Sequence, residues 1–339
     1  MFWRQALGFV ALSLLLIAAT ASVRAGETEL EPPGQEPFLW RNASPVSATL
    51  GLPRARGGAL PRQGELHMDL LLDVASHFTR ASSSNESVLL DGETATLVAR
   101  FERGFGEHWA GSVELAGLRH SGGVLDGLID RWHNLFGLPD GGRDSAPRDR
   151  LRMVWSADGT QRLLLEDTHT GVGDLRVGAA RALHRSPARD LALRVDLELP
   201  TGSARRLAGS GGVDVAAGLA LTEREAFAAF GLLSHFTAGV LRPSGNDLVG
   251  GRLRTLAGYG SWTLVWPVSE RLSLKAQLDG HSELVRSELK QIGGWSVQGA
   301  LGGSWRFGPG LAFEFALYED LRVATAPDVT FQFALRGRY

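Results

Sequence analysis

The sequence predicts an all-β fold, an up-and-down antiparallel transmembrane β-barrel of about fourteen strands, with twelve strands as the alternative. Three observations lead to this prediction. Apolar and polar residues alternate over segments of about ten residues, aromatic residues lie at the segment ends, and the connections are alternately short and long. A soluble β-sandwich shows the same alternation, but its strands usually have only about five or six residues.

Residues 1–25 have the composition of a secretory signal peptide. Arg4 precedes an apolar run over residues 6–21, and Val23-Arg24-Ala25 is a small-x-small cleavage sequence. The apolar run is short for a membrane helix, which needs ~20 apolar residues. We therefore expect this segment to be cleaved, with an uncleaved anchor as the alternative.

Residues 26–64 form an irregular segment rich in proline and glycine, ahead of the first predicted strand. Within it, residues 37–42 and 45–52 are more apolar than a solvated tail should be. Two interpretations stay open, a plug that enters the barrel from below and a disordered linker. The barrel itself is expected over residues 65–339.

Period-two alternation assigns one set of side chains in each strand to the barrel interior. The candidate lumen wall consists of His67, Asp69, Asp73, Arg194, Asp196, Glu198, Lys275, Asp279, Arg306 and Glu314. Both signs of charge are present, so the pattern fits a pore lining and a set of internal ion pairs equally well. His67 and His77 are too far apart along one strand to share an ion, so we expect no metal site.

The longest predicted loop contains a helical pattern. From residue 124 to residue 138 the apolar residues recur every three or four positions, which indicates an amphipathic helix. One hypothesis makes this helix a gate over the lumen of the barrel. Its candidate gate residues are Leu128, Trp132, His133 and Phe136. The alternative is a helix that rests its apolar face on the barrel rim.

The chain ends in a strand pattern that runs to its last residue. Apolar or small residues alternate with Gln332, Arg336 and Arg338 up to Tyr339. This ending resembles the closing strand of outer-membrane barrels, which the barrel assembly machinery is understood to recognise. By that resemblance the candidate assembly signal is Phe331, Phe333 and Tyr339. With short turns in the periplasm and an even number of strands, both termini would be periplasmic.

Aromatic residues lie near the ends of the predicted strands, where membrane barrels carry girdles. They are Trp109, Trp262, Trp266, Trp295, Trp305, Phe307 and Tyr339.

Composition and motifs argue against several other classes of protein. The chain has no cysteine for a disulfide scaffold, and its net charge of −2 gives no basis for nucleic-acid binding. Gly171-x-Gly173-Asp174 is followed by strand spacing rather than by the helix that a phosphate loop needs. His281-Ser282-Glu283 is the nearest candidate for an acyl hydrolase, but neighbouring strand residues point to opposite faces. We expect neither an enzyme nor a cofactor.

Five short motifs carry a resemblance to known families. They are Phe38-Leu39-Trp40-Arg41-Asn42, Asp130-Arg131-Trp132-His133-Asn134-Leu135-Phe136-Gly137-Leu138-Pro139, Thr170-Gly171-Val172-Gly173-Asp174, Leu199-Pro200-Thr201-Gly202-Ser203 and Gly209-Ser210-Gly211-Gly212-Val213-Asp214. The first four resemble the uncharacterised Gram-negative family called domain of unknown function 3187. The last three resemble barrels encoded beside aromatic-degradation pathways, which are thought to pass hydrophobic compounds. The resemblance implies a Gram-negative outer-membrane barrel, in contact with lipid and lipopolysaccharide, and suggests transport.

The function expected from the sequence is passive uptake of small hydrophobic or amphipathic solutes through a channel gated by the loop helix. A non-conducting barrel with a structural or surface-interaction role is the main alternative. A barrel acyl hydrolase that acts on lipid is a further one. The sequence does not identify the solute or the oligomeric state.

Overall fold

The computed structural model describes residues 32–123, 127, 147, 149–245, 248–321 and 325–339. The predicted signal peptide and the predicted loop helix lie outside the described residues, apart from Gly127. The candidate gate residues Leu128, Trp132, His133 and Phe136 lie outside them as well. In the part of the chain that is described, no helix is long and apolar enough to cross a membrane.

The described residues form fifteen strands. They are β1 (Leu66–Ser82), β2 (Glu86–Phe105), β3 (Trp109–Ser121), β4 (Arg152–Ala157), β5 (Thr160–Leu165), β6 (His169–Val172), β7 (Leu175–Arg185), β8 (Arg189–Leu199), β9 (Asp214–Glu223), β10 (Leu233–Arg242), β11 (Ala257–Pro267), β12 (Leu272–His281), β13 (Ser296–Gly308), β14 (Leu311–Asp320) and β15 (Val329–Arg338). One short α-helical turn, α1 (Lys290–Gly293), precedes β13.

Twelve of these strands close an antiparallel barrel in the order β1, β2, β3 and then β7 through β15, with β15 paired back to β1. The predicted fold class is therefore confirmed, with the strand number of the twelve-strand alternative. The count of about fourteen included the two strands that flank Asp158-Gly159. These are β4 and β5, whose hairpin extends the sheet beside β2 and lies outside the ring. Period-two alternation identifies a strand but not its partner, so the sequence could not separate them from barrel strands.

The two ends of the barrel differ in their connections. At the turn end the strands are joined by residues 106–108, 186–188, 224–232, 268–271 and 309–310, and Leu66 and Tyr339 exchange both backbone hydrogen bonds there. At the opposite, loop end the connections are mostly longer. There β1 and β2, with 17 and 20 residues, pair along their full length and carry the β4–β5 hairpin.

The outer face of the barrel is apolar, as a surface in lipid requires. Its exposed side chains include Val113, Leu115, Leu193, Val195, Leu219, Leu274, Leu278 and Leu301. Of the predicted girdle residues, Trp109, Trp266, Trp305, Phe307 and Tyr339 lie at the turn end, and Trp295 lies at the loop end. Trp262 instead lies in the middle of β11 and stacks on Phe236 at a ring-centroid distance of 5.8 Å. A closed ring leaves no unpaired strand edge in lipid, so this is the architecture of a transmembrane barrel.

Residues 32–64, here called the inner segment, lie inside the ring. The segment starts at the turn end, where the Ser304 hydroxyl donates to the Gly34 carbonyl at 2.5 Å. It runs to the loop end, turns over residues 46–52 and returns, and the Ala55 N–H donates to the Trp40 carbonyl at 2.9 Å between its two limbs. Near the turn end the Gly58 N–H donates to the Thr222 hydroxyl at 2.9 Å. The segment therefore occupies the barrel along its length.

A large apolar cluster, here called the dome, closes the loop end. It joins the tip of the inner segment to the β4–β5 hairpin and to the loops that follow β8, β10 and β12. Its buried members are Val46, Leu50, Leu52, Val88, Leu90, Leu151, Met153, Trp155, Ala157, Leu163, Leu165, Leu207, Ala216, Leu241, Leu248, Val249, Ala257, Leu284, Val285, Leu289 and Ile292. Burial of this many apolar side chains makes the dome a hydrophobic core of its own.

Candidate functional site

The charged side chains of the inner segment pair with opposite charges on the barrel wall. Arg54 shows this most clearly, because only 2% of its side chain is exposed. Its Nη1 lies 3.1 Å from Asp73 Oδ2 on β1, and its Nε lies 3.2 Å from Glu114 Oε1 on β3. Arg54 also donates to the Leu39 carbonyl at 2.9 Å. One guanidinium therefore ties both limbs of the segment to two strands.

Two further arginines of the segment contact carboxylates on β8. Arg56 forms an ion pair with Asp196, and Arg41 Nη1 lies 3.6 Å from Glu198 Oε2. Glu198 also pairs with Arg176 on β7. Arg176 in turn donates to the Leu52 carbonyl at 2.7 Å, so wall and segment exchange bonds in both directions. Burial and then the neighbouring arginines lower the pKa of Arg41 to about 10.

At the turn end a continuous chain of ion pairs, here called the charge ladder, follows the inner wall. Its members alternate in sign in the order Arg194, Glu102, Arg100, Asp69, Arg338, Glu36, Arg336, Glu314 and Lys275. Every carboxylate in it lies between two cations. Glu36 is the one member that comes from the inner segment, and the others come from β8, β2, β1, β15, β14 and β12.

The ladder crosses part of the wall where the inward side chains are small. Arg194 Nη1 on β8 reaches Glu102 Oε1 on β2 at 2.7 Å, although β7 and β3 lie between them. The inward residues of the intervening strands at this level are Gly178, Ala180 and Ser112. Small residues here leave the room that the long arginine side chain needs.

Apolar and amide groups of the inner segment are matched to the wall as well. The Phe38 N–H donates to Gln277 Oε1 at 2.9 Å, and Trp40 Nε1 donates to Gln298 Oε1 at 3.2 Å. Trp40 stacks on Tyr318 with ring centroids 3.9 Å apart. These contacts use β12, β13 and β14, so the segment is also held to strands that Arg54 does not reach.

A cavity of about 600 Å³ remains at the turn end, between the inner segment and the wall. It reaches the ladder residues Arg338, Asp69 and Glu102, and the exposed Arg185 at its mouth. The volume is within the range of small-molecule sites, roughly 300–1,000 Å³.

The predicted lumen-wall residues are distributed over several contacts. Asp69, Asp73, Arg194, Asp196, Glu198, Lys275 and Glu314 are the wall partners described above. Asp279 accepts from Gln277 Nε2 at 2.8 Å, and His67 Nε2 lies 2.7 Å from Glu65 Oε1 near the turn end. Arg306 donates to the Glu270 carbonyl of a turn, at the mouth rather than along the lumen. The described residues contain no cluster of His, Cys, Asp or Glu that could hold a metal ion.

Other residues singled out in the sequence lie as follows. Phe331 and Phe333 face outward on β15 and pack against Phe315 on β14, at centroid distances of 6.5 and 5.3 Å. His281 faces inward, with its Nε2 2.8 Å from Asn42 Nδ2. The Ser282 hydroxyl instead accepts from the Gly258 N–H at 2.9 Å. His281 and Ser282 therefore do not contact each other through their side chains.

Sequence reasoning missed the residues of the inner segment that organise the interior, namely Glu36, Arg54 and Arg56. The segment has no period-two pattern, so no rule assigned its side chains to a face. A usable signal was present, because these charges stand among apolar residues that are too numerous for a solvated tail.

Solved structures with the same architecture are outer-membrane barrels. The COG4313 outer membrane channel from Pseudomonas putida F1 superposes with a TM-score of 0.56 and 15% identity, over 83% of this chain and 97% of that chain. The NanC porin gives a TM-score of 0.45 at 7% identity, over 80% and 98% of the two chains. The P. putida toluene transporter TodX gives 0.32 at 11% identity, over 81% and 88%. The first similarity shows the barrel fold, and the other two are too distant to carry an argument.

The sequence matches no curated protein. The family model described as "Protein of unknown function (DUF3187)" matches residues 13–339, which is nearly the whole chain. This match confirms the resemblance seen in the short motifs. The chain therefore belongs to the DUF3187 family, and its fold is that of a closed β-barrel.

Proposed function

We propose that the protein is an outer-membrane channel for small hydrophobic or amphipathic solutes, and that the inner segment is its plug. The observation that carries the proposal is the way the lumen is filled. In the described part of the chain, residues 32–62 form no backbone–backbone hydrogen bond with a barrel strand, and side-chain contacts hold them to the wall. The ring is complete without the segment, because the twelve strands pair with one another. A separable plug in a complete ring is the construction of a channel.

The proposal includes location and orientation. The apolar outer face and the closed ring support insertion in the outer membrane of a Gram-negative bacterium. Short turns are periplasmic in such barrels, so we place the turn end, and with it both ends of the barrel domain, in the periplasm. Phe331, Phe333 and Tyr339 on the closing strand then serve as the signal to the assembly machinery. The cleaved signal peptide over residues 1–25 belongs to the same proposal.

A non-conducting barrel is the second candidate, and a specific observation favours it. The charge ladder and the pairs made by Arg54 and Arg56 leave the buried ionic groups of the segment matched to wall groups. Such pairing also stabilises a permanently filled interior. The two candidates differ in one property, which is whether the segment moves. The Ser282 hydroxyl bonds to the Gly258 N–H and not to the His281 ring, so this pair gives no support to lipid hydrolysis.

Single-channel recording and solute uptake separate the candidates. The refolded protein is inserted in planar bilayers and in liposomes, with heat-modifiable migration on gels as the check on insertion. Discrete openings and uptake of a small amphipathic aromatic solute are expected for the channel. Inserted protein without openings and without uptake would contradict it and leave the non-conducting barrel.

The loop helix is a second proposed gate, with Leu128, Trp132, His133 and Phe136 as its residues. Deletion of residues 124–138 tests it in the same bilayers. A gate predicts altered permeability in the deletion variant. A helix that only decorates the rim predicts the same openings as in the full chain.

A further inference from the structure

The turn-end cavity has more arginines than carboxylates in its lining, eight against five. Two of these arginines, Arg56 and Arg336, also pair with Asp196 and Glu314, which lie outside the lining. With these two carboxylates included, positive groups are still in excess. Guanidinium groups bind carboxylates through paired, charge-assisted hydrogen bonds. The cavity is therefore chemically suited to an anion.

A carboxylate already occupies the centre of this surface. Glu36 forms an ion pair with Arg338 on β15, and its Oε2 lies 3.9 Å from Arg336 Nη1. The two arginine side chains are only 2–3% exposed, whereas 30% of the Glu36 side chain remains exposed toward the cavity. The wall thus contributes a buried arginine pair, and the inner segment contributes the carboxylate that fills it.

The wall arginines are fixed in place without Glu36. Arg336 Nε donates to Glu314 Oε2 at 2.7 Å, and Arg338 Nη1 lies 3.3 Å from Asp69 Oδ1. Without the Glu36 carboxylate each guanidinium group keeps its wall carboxylate, and Arg336 also donates to the Pro37 carbonyl and Arg338 to the Gly337 carbonyl at 2.8 Å. Both groups stay oriented and have further N–H donors, since a guanidinium has five. Such a preorganised pair is a receptor site for another carboxylate.

The lining of the cavity also includes apolar side chains, which are Leu39, Leu60, Leu233, Pro37 and Pro187. Pro37 lies at the arginine pair, because its carbonyl accepts from Arg336, and Leu39 packs with Ala334 of β15. Leu60 and Leu233 belong to the side of the cavity formed by β3, β7, β8 and β10. A carboxylate bound at the arginines would therefore place an apolar body against Pro37 and Leu39, which favours an amphipathic organic acid over a small inorganic anion.

We propose that Arg336 and Arg338 form a binding site for the carboxylate of a small amphipathic organic acid, which takes the place of Glu36. The inference rests on the proposed channel function and names its substrate class. The exchange replaces one carboxylate by another, so the arginine pair keeps a counter-ion throughout. Displacement of the Glu36 carboxylate removes one of the contacts at the start of the inner segment, where the Gly34, Glu36 and Pro37 carbonyls also accept from Ser304, Lys275 and Arg336. Neutral and cationic solutes cannot make this exchange.

Equilibrium binding tests the site directly. Isothermal titration calorimetry of the refolded protein in detergent micelles uses benzoate as the probe, with benzyl alcohol, benzylamine and inorganic phosphate as comparisons. Benzoate is expected to bind at least about tenfold more tightly than each comparison, a difference of ~1.4 kcal/mol. Equal affinity for benzyl alcohol would overturn the carboxylate site, and equal affinity for phosphate would overturn the organic acid as its ligand.

Two variants localise the binding. Glu36→Gln removes the competing charge at nearly constant shape, so benzoate affinity is expected to rise about tenfold. Arg338→Gln is expected to abolish binding, and heat-modifiable migration shows whether that variant folds. Arg271→Gln changes an arginine of a turn at the same end, outside the cavity lining, and should bind as the unaltered protein does. Unchanged affinity in Glu36→Gln would contradict the exchange even if Arg338→Gln fails to fold.

The benzoate site and the channel function can be disproved independently of each other. Benzoate binding in micelles without solute flux in liposomes would keep the site and remove the channel. Flux of a neutral aromatic solute without benzoate binding would keep the channel and remove the site.

Discussion

The loop end and the turn end of the barrel are closed by different forces. At the loop end the dome packs apolar side chains such as Trp155, Leu50 and Ile292 to almost complete burial. At the turn end the charge ladder closes the interior and leaves a cavity of about 600 Å³. Hydrophobic packing does not depend on protonation, whereas ion pairs do. The comparison indicates that the turn end is the part of the closure that a change of charge, or a charged ligand, can open.

The largest effect is expected between the two ends, at the buried arginine that ties both limbs of the inner segment to the wall. Arg54→Met removes the partner of Asp73 and Glu114 and leaves two carboxylates in the interior. Loss of one side of a buried ion pair costs about 3–5 kcal/mol, so the inner segment should leave the lumen part of the time. Limited proteolysis of the segment and the frequency of openings in bilayers should both increase. Arg62→Met is the control, because Arg62 is an exposed arginine of the same segment. Equal proteolysis of the inner segment in the two variants would contradict this role of Arg54.

A cavity-forming substitution in the dome should destabilise the dome strongly without affecting the turn end. Trp155 is fully buried, and its replacement by alanine is expected to cost about 3–4 kcal/mol of dome stability. Hydrogen exchange of β4 and β5 should accelerate, while proteolysis at the turn end stays unchanged. Leu164→Ala, on the same hairpin but 52% exposed, is the matched control. If Trp155→Ala instead released the inner segment at the turn end, the two closures would not be separate.

A smaller effect is expected at the ionic contact above the dome. Arg252 pairs with Glu86 near the tip of the β1–β2 hairpin and with Asp158 on the β4–β5 turn, and about 20% of its side chain is exposed. Arg252→Gln should destabilise this junction by about 1 kcal/mol, because partly exposed pairs contribute little. Hydrogen exchange near Glu86 measures it. Arg254→Gln, whose pair with Glu283 is more exposed, should have a smaller effect still.

The smallest effect concerns pH. Burial opposes ionisation of Glu36, but Arg338, Arg336 and Lys275 outweigh it and hold the pKa of this carboxyl well below its usual value. A carboxyl group whose pKa is lower in the folded state stabilises that state at pH values above its ordinary pKa. This stabilisation is lost as the pH falls through the lowered pKa. The Glu36→Gln variant should lack this component, so its proteolysis should depend less on pH between about pH 5 and pH 2. Because Glu36 is partly exposed, the two proteins should differ by no more than about 1 kcal/mol in the pH-dependent stability of the segment. Identical pH profiles of proteolysis would contradict the ion pairing of Glu36.

The sequence was sufficient for the architecture because alternation along a strand is a local property. His67, Asp69 and Asp73 were assigned to one face from their spacing alone, and Asp69 and Asp73 lie buried on the inner face of β1. The two strands around Asp158-Gly159 show the same local alternation, but the structure places them outside the ring. Pairing across the sheet is a long-range property, so the strand number could not be fixed in the same way.

The interior contacts were beyond the sequence for the same reason. Arg54 and Glu114 are 60 positions apart, and Glu36 and Arg338 are 302 positions apart. No periodicity relates such pairs, and the inner segment has none of its own. The composition of residues 37–52 did indicate that the segment is not a simple tail, but it did not indicate which strands the segment contacts.

A reversible crosslink tests whether the inner segment moves when the channel opens. The chain has no cysteine, and a Cβ built on Gly34 lies 3.3 Å from the Ala312 Cβ on β14, close to the ~3.8 Å that a disulfide needs. Gly34 has a φ of 100°, so Gly34→Cys alone controls for backbone strain.

Single-channel recordings compare the Gly34→Cys/Ala312→Cys protein before and after reduction. If the segment moves, few openings are expected while the disulfide is closed, and reduction should restore openings to the frequency of the single-cysteine control. Openings that are equally frequent in the oxidised and reduced protein would contradict this movement, because the segment would then stay in place while the channel conducts.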